Sequence, residues 1–96
     1  MIVDFVTFRV KNGKDQEFET LHQDTLKLMR RSRGFIGQVM MRSLDDPAEY
    51  HAEIRWVSKD YRDRFTARGD ADTAALVQRG ASILEKAPAH RLLEPV

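Results

Sequence analysis

The segment Gly34–Phe65 decides the fold, and it reads GFIGQVMMRSLDDPAEYHAEIRWVSKDYRDRF. Phe35–Arg42 and Glu49–Val57 are short runs rich in apolar and β-favouring residues, a composition that is typical of strands. Asp46-Pro47 lies between them in a polar stretch and predicts a turn. We therefore expect an antiparallel hairpin closed around this turn.

The end of the same segment predicts a short helix. Ser58 suits an N-cap, because its hydroxyl can accept a hydrogen bond from a backbone N–H of the first helical turn. Tyr61 and Phe65 lie four residues apart and therefore share one side of that helix. Since Trp56 closes the preceding strand, three aromatic side chains are expected near one junction of strand and helix.

Regular elements are also predicted on both sides of this segment, from hydrophobic spacing and from helix start and stop signals. They are a strand at Ile2–Lys11, a helix at Lys14–Arg33, a longer helix from Asp70 or Asp72 to about Lys86, and an edge strand at Ala89–Glu94. The residues expected to face inward are Phe18, Leu21, His22, Thr25, Leu28 and Met29 on the first helix and Leu76, Val77, Ile83 and Leu84 on the last. The order β-α-β-β-α-β predicts an α+β, ferredoxin-like sandwich that forms a single domain over residues 1–96.

The strand Phe35–Arg42 is apolar on both sides, and this predicts a homodimer. Strict alternation would direct its large apolar residues to opposite faces, with Ile36 and Met40 on one and Phe35, Val39 and Met41 on the other. One face can be covered by the two helices, but the chain has no further element for the second face. A second copy of the chain, packed sheet against sheet, would cover this second face.

Composition excludes several classes of function. Sixteen Lys and Arg residues against fifteen Asp and Glu residues leave a net charge of +1, too weak a field to indicate a nucleic-acid or membrane-surface partner. Cysteine is absent, which removes disulfides, thiolate metal sites and cysteine nucleophiles, and the histidines lack metal-ligand spacing. No apolar run is long enough to span a membrane. Met1–Lys11 has Asp4 inside its apolar run and no basic start, so we expect a cytoplasmic protein. The histidine spacing predicts no metal site.

Four residues are candidates for a functional site. His22 lies on the apolar stripe of the first helix, where an imidazole needs a partner or a cavity edge, and it is the candidate catalytic base. Trp56, Tyr61 and Phe65 are candidates for binding a planar apolar ligand. The alternative is that His22 is a hydrogen-bonded boundary residue and that the three aromatic residues fill one another's space as core.

The chain resembles the antibiotic biosynthesis monooxygenase-like domains of the dimeric α/β-barrel group over nearly its whole length. The resemblance rests on FRVKNGK at Phe8–Lys14, HQDTLKLMR at His22–Arg30, GFIG at Gly34–Gly37 and WVSKDY at Trp56–Tyr61. It implies a homodimer whose two sheets meet as a barrel, with a cleft between sheet and helices in each subunit. It also implies oxygenation of phenols or quinols without metal or flavin, through a carbanion-like substrate that reduces O₂.

The resemblance does not extend to the residues of every subgroup. Heme-degrading members carry an Asn, a Trp and a His at places that look like Val6, Phe65 and a point near Ala74–Ala75 here, and quinol-oxidising members often have a His where Phe65 stands. Three hypotheses therefore stay open. They are a cofactor-independent monooxygenase, a non-catalytic dimeric domain that binds a small apolar ligand, and a heme-binding protein that uses His22 or His51.

Overall fold

The computed structural model describes residues 1–96 and has the predicted α+β, ferredoxin-like fold. Its elements are β1 (Ile2–Arg9), α1 (Asp15–Arg30), β2 (Phe35–Arg42), β3 (Glu49–Trp56), α2 (Lys59–Thr66), α3 (Ala71–Ile83) and β4 (Ala89–Leu93). The strands form one antiparallel four-stranded sheet in the order β2-β3-β1-β4, and β4 is an edge strand as expected. The helices pack on one face of the sheet, and none is both long and apolar enough to cross a membrane.

Gly34 fixes the junction between α1, β2 and α2. Its φ of +86° lies in the left-handed region that glycine adopts without steric cost. Its carbonyl accepts a hydrogen bond from the backbone N–H of Val57 at 2.8 Å. A Cβ at this position would lie 2.3–2.6 Å from ring and Cβ atoms of Tyr61, so the tyrosine packs directly on the glycine. Gly34, which ends α1, therefore also fixes the position of the first turn of α2.

Side-chain caps begin α2 and α3. Ser58 Oγ accepts a hydrogen bond from the backbone N–H of Tyr61, as predicted. Between the two candidates for the next cap, the structure selects Asp70, whose carboxylate accepts from the backbone N–H of Thr73 at 2.9 Å and from its hydroxyl at 2.8 Å. These hydrogen bonds, together with one from Arg68, lower the pKa of Asp70 to about 2.

The inward face of α3 differs from the prediction at one residue. Val77 was expected to face the core, but it is 70% exposed. Gly80 and Ile83 are buried, and Leu76 packs against the same cluster as Ile83, so the stripe runs at positions 76, 80 and 83. Val77 lies about 100° around the helix from Leu76 and therefore falls beside this stripe.

The strand β3 carries the centre of the core. Its alternate residues Tyr50, Ala52, Ile54 and Trp56 are buried under the helices, which confirms the predicted alternation. Two apolar clusters lie on this face. The aromatic cluster, as we name it, has buried Val6, Met29, Ala52, Ile54 and Trp56 with Phe35, Tyr61 and Phe65 packed against them. The second cluster contains Val10, Phe18, Leu21, Tyr50 and Ile83.

The predicted faces of β2 were partly wrong because of a β-bulge. Phe35 pairs with Trp56 and Gly37 pairs with Arg55, so Ile36 is an extra residue that shifts the alternation by one position. As a result Phe35 and Met40 both pack against the core, whereas Ile36 is exposed. Exposed apolar residues on the side away from the helices are Val39 and Met41 of β2, Leu93 of β4 and Val57 directly after β3, with Ile36 exposed at the bulge. The face of the sheet opposite the helices therefore has a hydrophobic character in a single chain.

Candidate functional site

The structure brings three of the four predicted site residues together in the aromatic cluster. Trp56 is 1% exposed. Its ring meets Phe35 edge-on, with centroids 5.5 Å apart, and meets Phe65 at 5.4 Å with a tilt of 38°. Tyr61 packs against the same cluster from the first turn of α2. These contacts give an aromatic wall above β3, while the role of the three residues in ligand binding stays a prediction.

His22 lies apart from this wall, over β2, and its polar neighbour there is Gln38. The imidazole projects from α1 and is 9% exposed. His22 Nε2 and Gln38 Oε1 are both buried without a hydrogen-bond partner that has good geometry. Burial lowers the pKa of His22, and the neighbouring Gln38 side chain offsets only part of that effect. The imidazole is therefore neutral near pH 7, with acid–base capacity beside an apolar surface.

Gln38 was not identified from the sequence, although a signal for it exists. It is the one uncharged polar side chain in the otherwise apolar run Phe35–Met41. Simple alternation places Gln38 with Met40 but opposite Phe35, and only the bulge at Ile36 brings all three to the helix-facing side. Its cross-strand partner Ile54 is buried on that side. A polar residue in this place faces α1, and hence His22.

A second polar group lies at the other end of the same face. Asp4, on β1, is 2% exposed, and Oδ2 accepts a hydrogen bond from Arg62 Nε of α2 at 3.0 Å. His90 Nδ1, from β4, lies 3.0 Å from Asp4 Oδ1 and 3.2 Å from Oδ2. Arg62 also donates to Asp63 at 3.1 Å. Burial alone would lower the pKa of Arg62, but hydrogen bonds and attraction from Asp4 and Asp63 raise it overall.

This second group was also missed at the sequence level. Asp4 stood out only as a charge inside an apolar run, where it argued against a signal peptide. Its pairing with Ile54 shows that it faces the helices, and a carboxylate buried there requires a cation or hydrogen-bond donors. Arg62 and His90 supply them, from positions 58 and 86 residues away in the chain. Strand register would have been needed to find the group.

The register places the two polar groups in one row across the sheet. Gln38 pairs with Ile54, and Ile54 pairs with Asp4. The backbones of Gln38 and Asp4 are therefore separated by two strand spacings, about 10 Å. Ile54 and the neighbouring Trp56 occupy the space between them. The helix-facing side thus presents an apolar and aromatic centre flanked by two polar groups.

The polar surface hollows lie elsewhere. One of about 350 Å³ is lined by Gln16, Glu17, Thr20, Arg79, Ser82 and Ile83, between α1 and α3. Another of about 310 Å³ is lined by residues around the end of β1 and the β2–β3 loop. Neither is lined by His22, Trp56, Tyr61 or Phe65. No group of three or more His, Asp or Glu residues is arranged to hold a metal ion.

Comparison with solved structures shows that this fold is shared. The chain superposes on SnoaB, a cofactor-independent oxygenase from Streptomyces nogalater, with a TM-score of 0.84, 22% identity, and coverage of 99% of this chain and 93% of that one. A conserved protein from Methanosarcina mazei gives a TM-score of 0.84 at 17% identity, with 97% and 90% covered. Rv0793 from Mycobacterium tuberculosis gives 0.82 at 17% identity, with 99% and 94% covered.

Comparison at the level of sequence identifies the family. No curated protein matches the chain at a significant level. The family model described as antibiotic biosynthesis monooxygenase matches residues 1–86, which includes every element from β1 to α3. The sequence resemblance is thereby confirmed. This chain belongs to the antibiotic biosynthesis monooxygenase family.

Proposed function

We propose that this protein is a cofactor-independent monooxygenase that oxidises a small hydrophobic aromatic of the phenol or quinol type. The observation that carries the proposal is the buried pair His22 Nε2 and Gln38 Oε1, neighbouring polar atoms that make no hydrogen bond of good geometry, on the same face as the aromatic cluster. A buried polar atom without a partner costs about 1–3 kcal/mol, so a ligand hydroxyl that supplies the missing hydrogen bond would recover that energy. Family membership and the similarity in fold to an oxygenase support the same reaction class.

In this proposal His22 is the catalytic base. Because burial lowers the pKa of its imidazole, His22 is neutral near pH 7 and can take the proton of a phenolic hydroxyl. The resulting phenolate is electron-rich and reduces O₂, one atom of which enters the ring while the other leaves as water. Trp56, Tyr61 and Phe65 bind the ring and keep water away from the charged intermediate.

A homodimer through the sheets is the second part of the proposal, with residues 1–96 as a single domain in each subunit. The open face carries exposed Ile36, Val39 and Met41 on the edge strand β2, and monomeric proteins rarely leave a contiguous apolar patch uncovered. Sedimentation at micromolar concentration is expected to give the mass of a dimer. Val39→Asp should dissociate or unfold it, because it would bury a charge without a partner, whereas Leu44→Asp in the exposed hairpin loop should leave it intact. A stable wild-type monomer would contradict this assignment.

The core packing favours a second candidate function, a non-catalytic dimeric domain that binds a small apolar ligand. Trp56 has 1% exposure and aromatic neighbours on two sides, which is also how a filled core would look. In this alternative the ring system binds without reaction, and His22 and Gln38 satisfy each other through a small rotation of either side chain.

One set of measurements separates the two functions. Trp56 is the only tryptophan in the chain, so its fluorescence reports directly on a ligand at the aromatic wall. With naphthols, quinols and flavonoids as a panel, we expect saturable quenching together with oxygen uptake. His22→Ala should abolish the uptake in a folded dimer, and Gln23→Ala, at the exposed neighbouring position, should not. Quenching without uptake would favour the binding domain, and a response in neither signal would contradict both candidates.

A further inference from the structure

The positive charge of the protein is concentrated at one place on its surface, although the whole chain carries only +1. Residues 25–44 contain no Asp or Glu, and Arg30, Arg31 and Arg33 lie within four consecutive positions at the end of α1. Arg64 joins them from α2, and all four residues are exposed. We call these four residues the arginine corner.

Gly34 brings the two helices together at this corner. It follows Arg33 directly, and a Cβ on it would lie 2.3–2.6 Å from Tyr61. The Cζ atom of Arg64 lies 5.3 Å from the centroid of the same tyrosine ring. One ring therefore separates the guanidinium of Arg64 from the backbone next to Arg33. Residues that are far apart in the sequence thus present positive charge on one surface.

The cations of the arginine corner have no anionic partner within the chain, whereas most other arginines do. Arg64 makes no ion pair with Asp60, which lies one turn before it on α2, and Asp63 is bonded instead by Lys59 at 2.6 Å and by Arg62 at 3.1 Å. The arginines that do pair with carboxylates are Arg9, Arg42, Arg55, Arg62, Arg68 and Arg79. The guanidinium donors of the corner are therefore available to groups from outside the chain.

The helix dipoles account for only part of this arrangement. Arg30 in the last turn of α1 and Arg64 in the last turn of α2 each complement the C-terminal end of their own helix. Arg33 lies beyond the C-cap residue Arg31, outside both helices. Dipole stabilisation does not require cations from two helices to meet, and their meeting brings like charges together. Carboxylates from a partner would relieve this repulsion and accept hydrogen bonds from the guanidinium donors.

We propose that the arginine corner is a docking surface for a short acidic segment of a partner protein. A guanidinium binds a carboxylate through two parallel hydrogen bonds, so Asp and Glu side chains suit a group of exposed guanidinium ions. The net charge of +1 supplies little attraction beyond a Debye length of about 10 Å at 0.1 M salt, so binding depends on direct pairs at the corner. This inference does not rest on the monooxygenase function proposed above.

The surroundings of the corner favour a short acidic segment over an extended polyanion. Asp24 on α1 and Asp60 and Asp63 on α2 flank the corner, and a nucleic acid that continued past it would meet these carboxylates. Tyr61, the aromatic ring of the corner, packs on Gly34 under a guanidinium and is therefore not open for stacking on a base. The proposed dimer uses the opposite face of the sheet, which leaves the corner accessible.

The test measures binding of a fluorescently labelled peptide of Glu, Asp, Ala and Leu by fluorescence anisotropy, with a version in which Gln and Asn replace the acids as the neutral probe. We expect saturable binding of the acidic peptide alone, weakened by added salt. Arg33→Gln combined with Arg64→Gln should weaken it about five- to tenfold. The control, Lys11→Gln combined with Lys86→Gln, removes the same charge from exposed cations near the other end of β1. It should change the affinity less than about twofold.

The inference is overturned if the acidic peptide does not bind or if both double variants weaken binding equally. It is also overturned if a single-stranded oligonucleotide or phosphatidylserine vesicles bind the corner more tightly than the peptide does. Circular dichroism checks that both variants keep the fold. Should the arginine variant not fold, amide NMR shifts of the wild-type protein decide. Shifts caused by the peptide should concentrate at Arg30–Gly34 and on α2, and shifts confined to other regions would contradict the proposed surface.

Discussion

The two polar groups on the helix-facing side of the sheet differ in how their hydrogen bonds are satisfied. At one end His22 Nε2 and Gln38 Oε1 are buried without partners. At the other end the buried carboxylate of Asp4 is bonded by Arg62 and His90. Both groups interrupt an apolar surface, but only the second has its electrostatic cost balanced within the chain. The first group therefore leaves polar atoms unsatisfied, whereas the hydrogen bonds of the second group contribute to the fold.

The largest expected effect comes from breaking the satisfied group. Asp4→Ala leaves Arg62 without its buried partner and is expected to lower the free energy of unfolding by about 3–5 kcal/mol. Urea unfolding followed by circular dichroism measures the loss. Asp45→Ala, in the exposed hairpin loop, is the matched control and should change stability by less than about 0.5 kcal/mol. Equal stabilities for the two variants would show that the buried pair adds nothing to the fold.

A substitution in the unsatisfied group, formed by His22 and Gln38, is expected to raise the free energy of unfolding. Gln38→Met replaces a buried polar side chain with an apolar one of similar length, next to Met40 and Ile54. Because an orphaned polar atom is removed and no good hydrogen bond is lost, we expect a gain of about 1 kcal/mol. The same unfolding measurement applies, and binding of a phenolic ligand should weaken in parallel. A loss of stability above about 1 kcal/mol would mean that Gln38 already has a partner in solution.

The burial of His22 also predicts how the free energy of unfolding depends on pH. Burial lowers its pKa in the folded chain below the ordinary value of 6.5, so the unfolded chain binds the proton more readily. Its contribution to stability is therefore complete above about pH 6.5, and it is lost as the pH falls from there toward the folded-state pKa. His22→Leu should have a flatter profile of unfolding free energy between pH 7 and pH 5 than wild type. Identical slopes in the two proteins would show that the imidazole is not desolvated.

The fold was accessible from the sequence because its signals are local. The alternation of Tyr50, Ala52, Ile54 and Trp56 and the cap at Ser58 each depend on a few adjacent residues. The polar groups were not accessible, since each joins positions that only strand register brings together. The bulge at Ile36 puts Gln38 and Met40 on the same side as Phe35, and no short motif marks that shift. His22 could be named because it lies on the stripe of a regular helix.

The smallest effect is expected when the protein is mixed with hemin. At the positions where heme-degrading members of the family carry Asn, Trp and His, this chain has other residues. Val6 is buried in the aromatic cluster, Phe65 packs on Trp56 at 5.4 Å, and the helix position near Ala74–Ala75 carries no imidazole.

The remaining histidines offer poor substitutes as iron ligands. His22 Nε2 is enclosed, and His51 lies on the opposite face of the sheet, stacked on Phe5 at 5.3 Å and bonded through Nδ1 to Thr7 at 3.1 Å. We therefore expect that hemin and a reductant, with catalase present to exclude peroxide chemistry, leave the Soret band unbleached. Bleaching that His22→Ala abolished would instead assign the unsatisfied imidazole to iron, and the proposed phenolic ligand would lose its binding partner. Bleaching that only His51→Ala abolished would place that chemistry on the open face, where it would compete with the dimer.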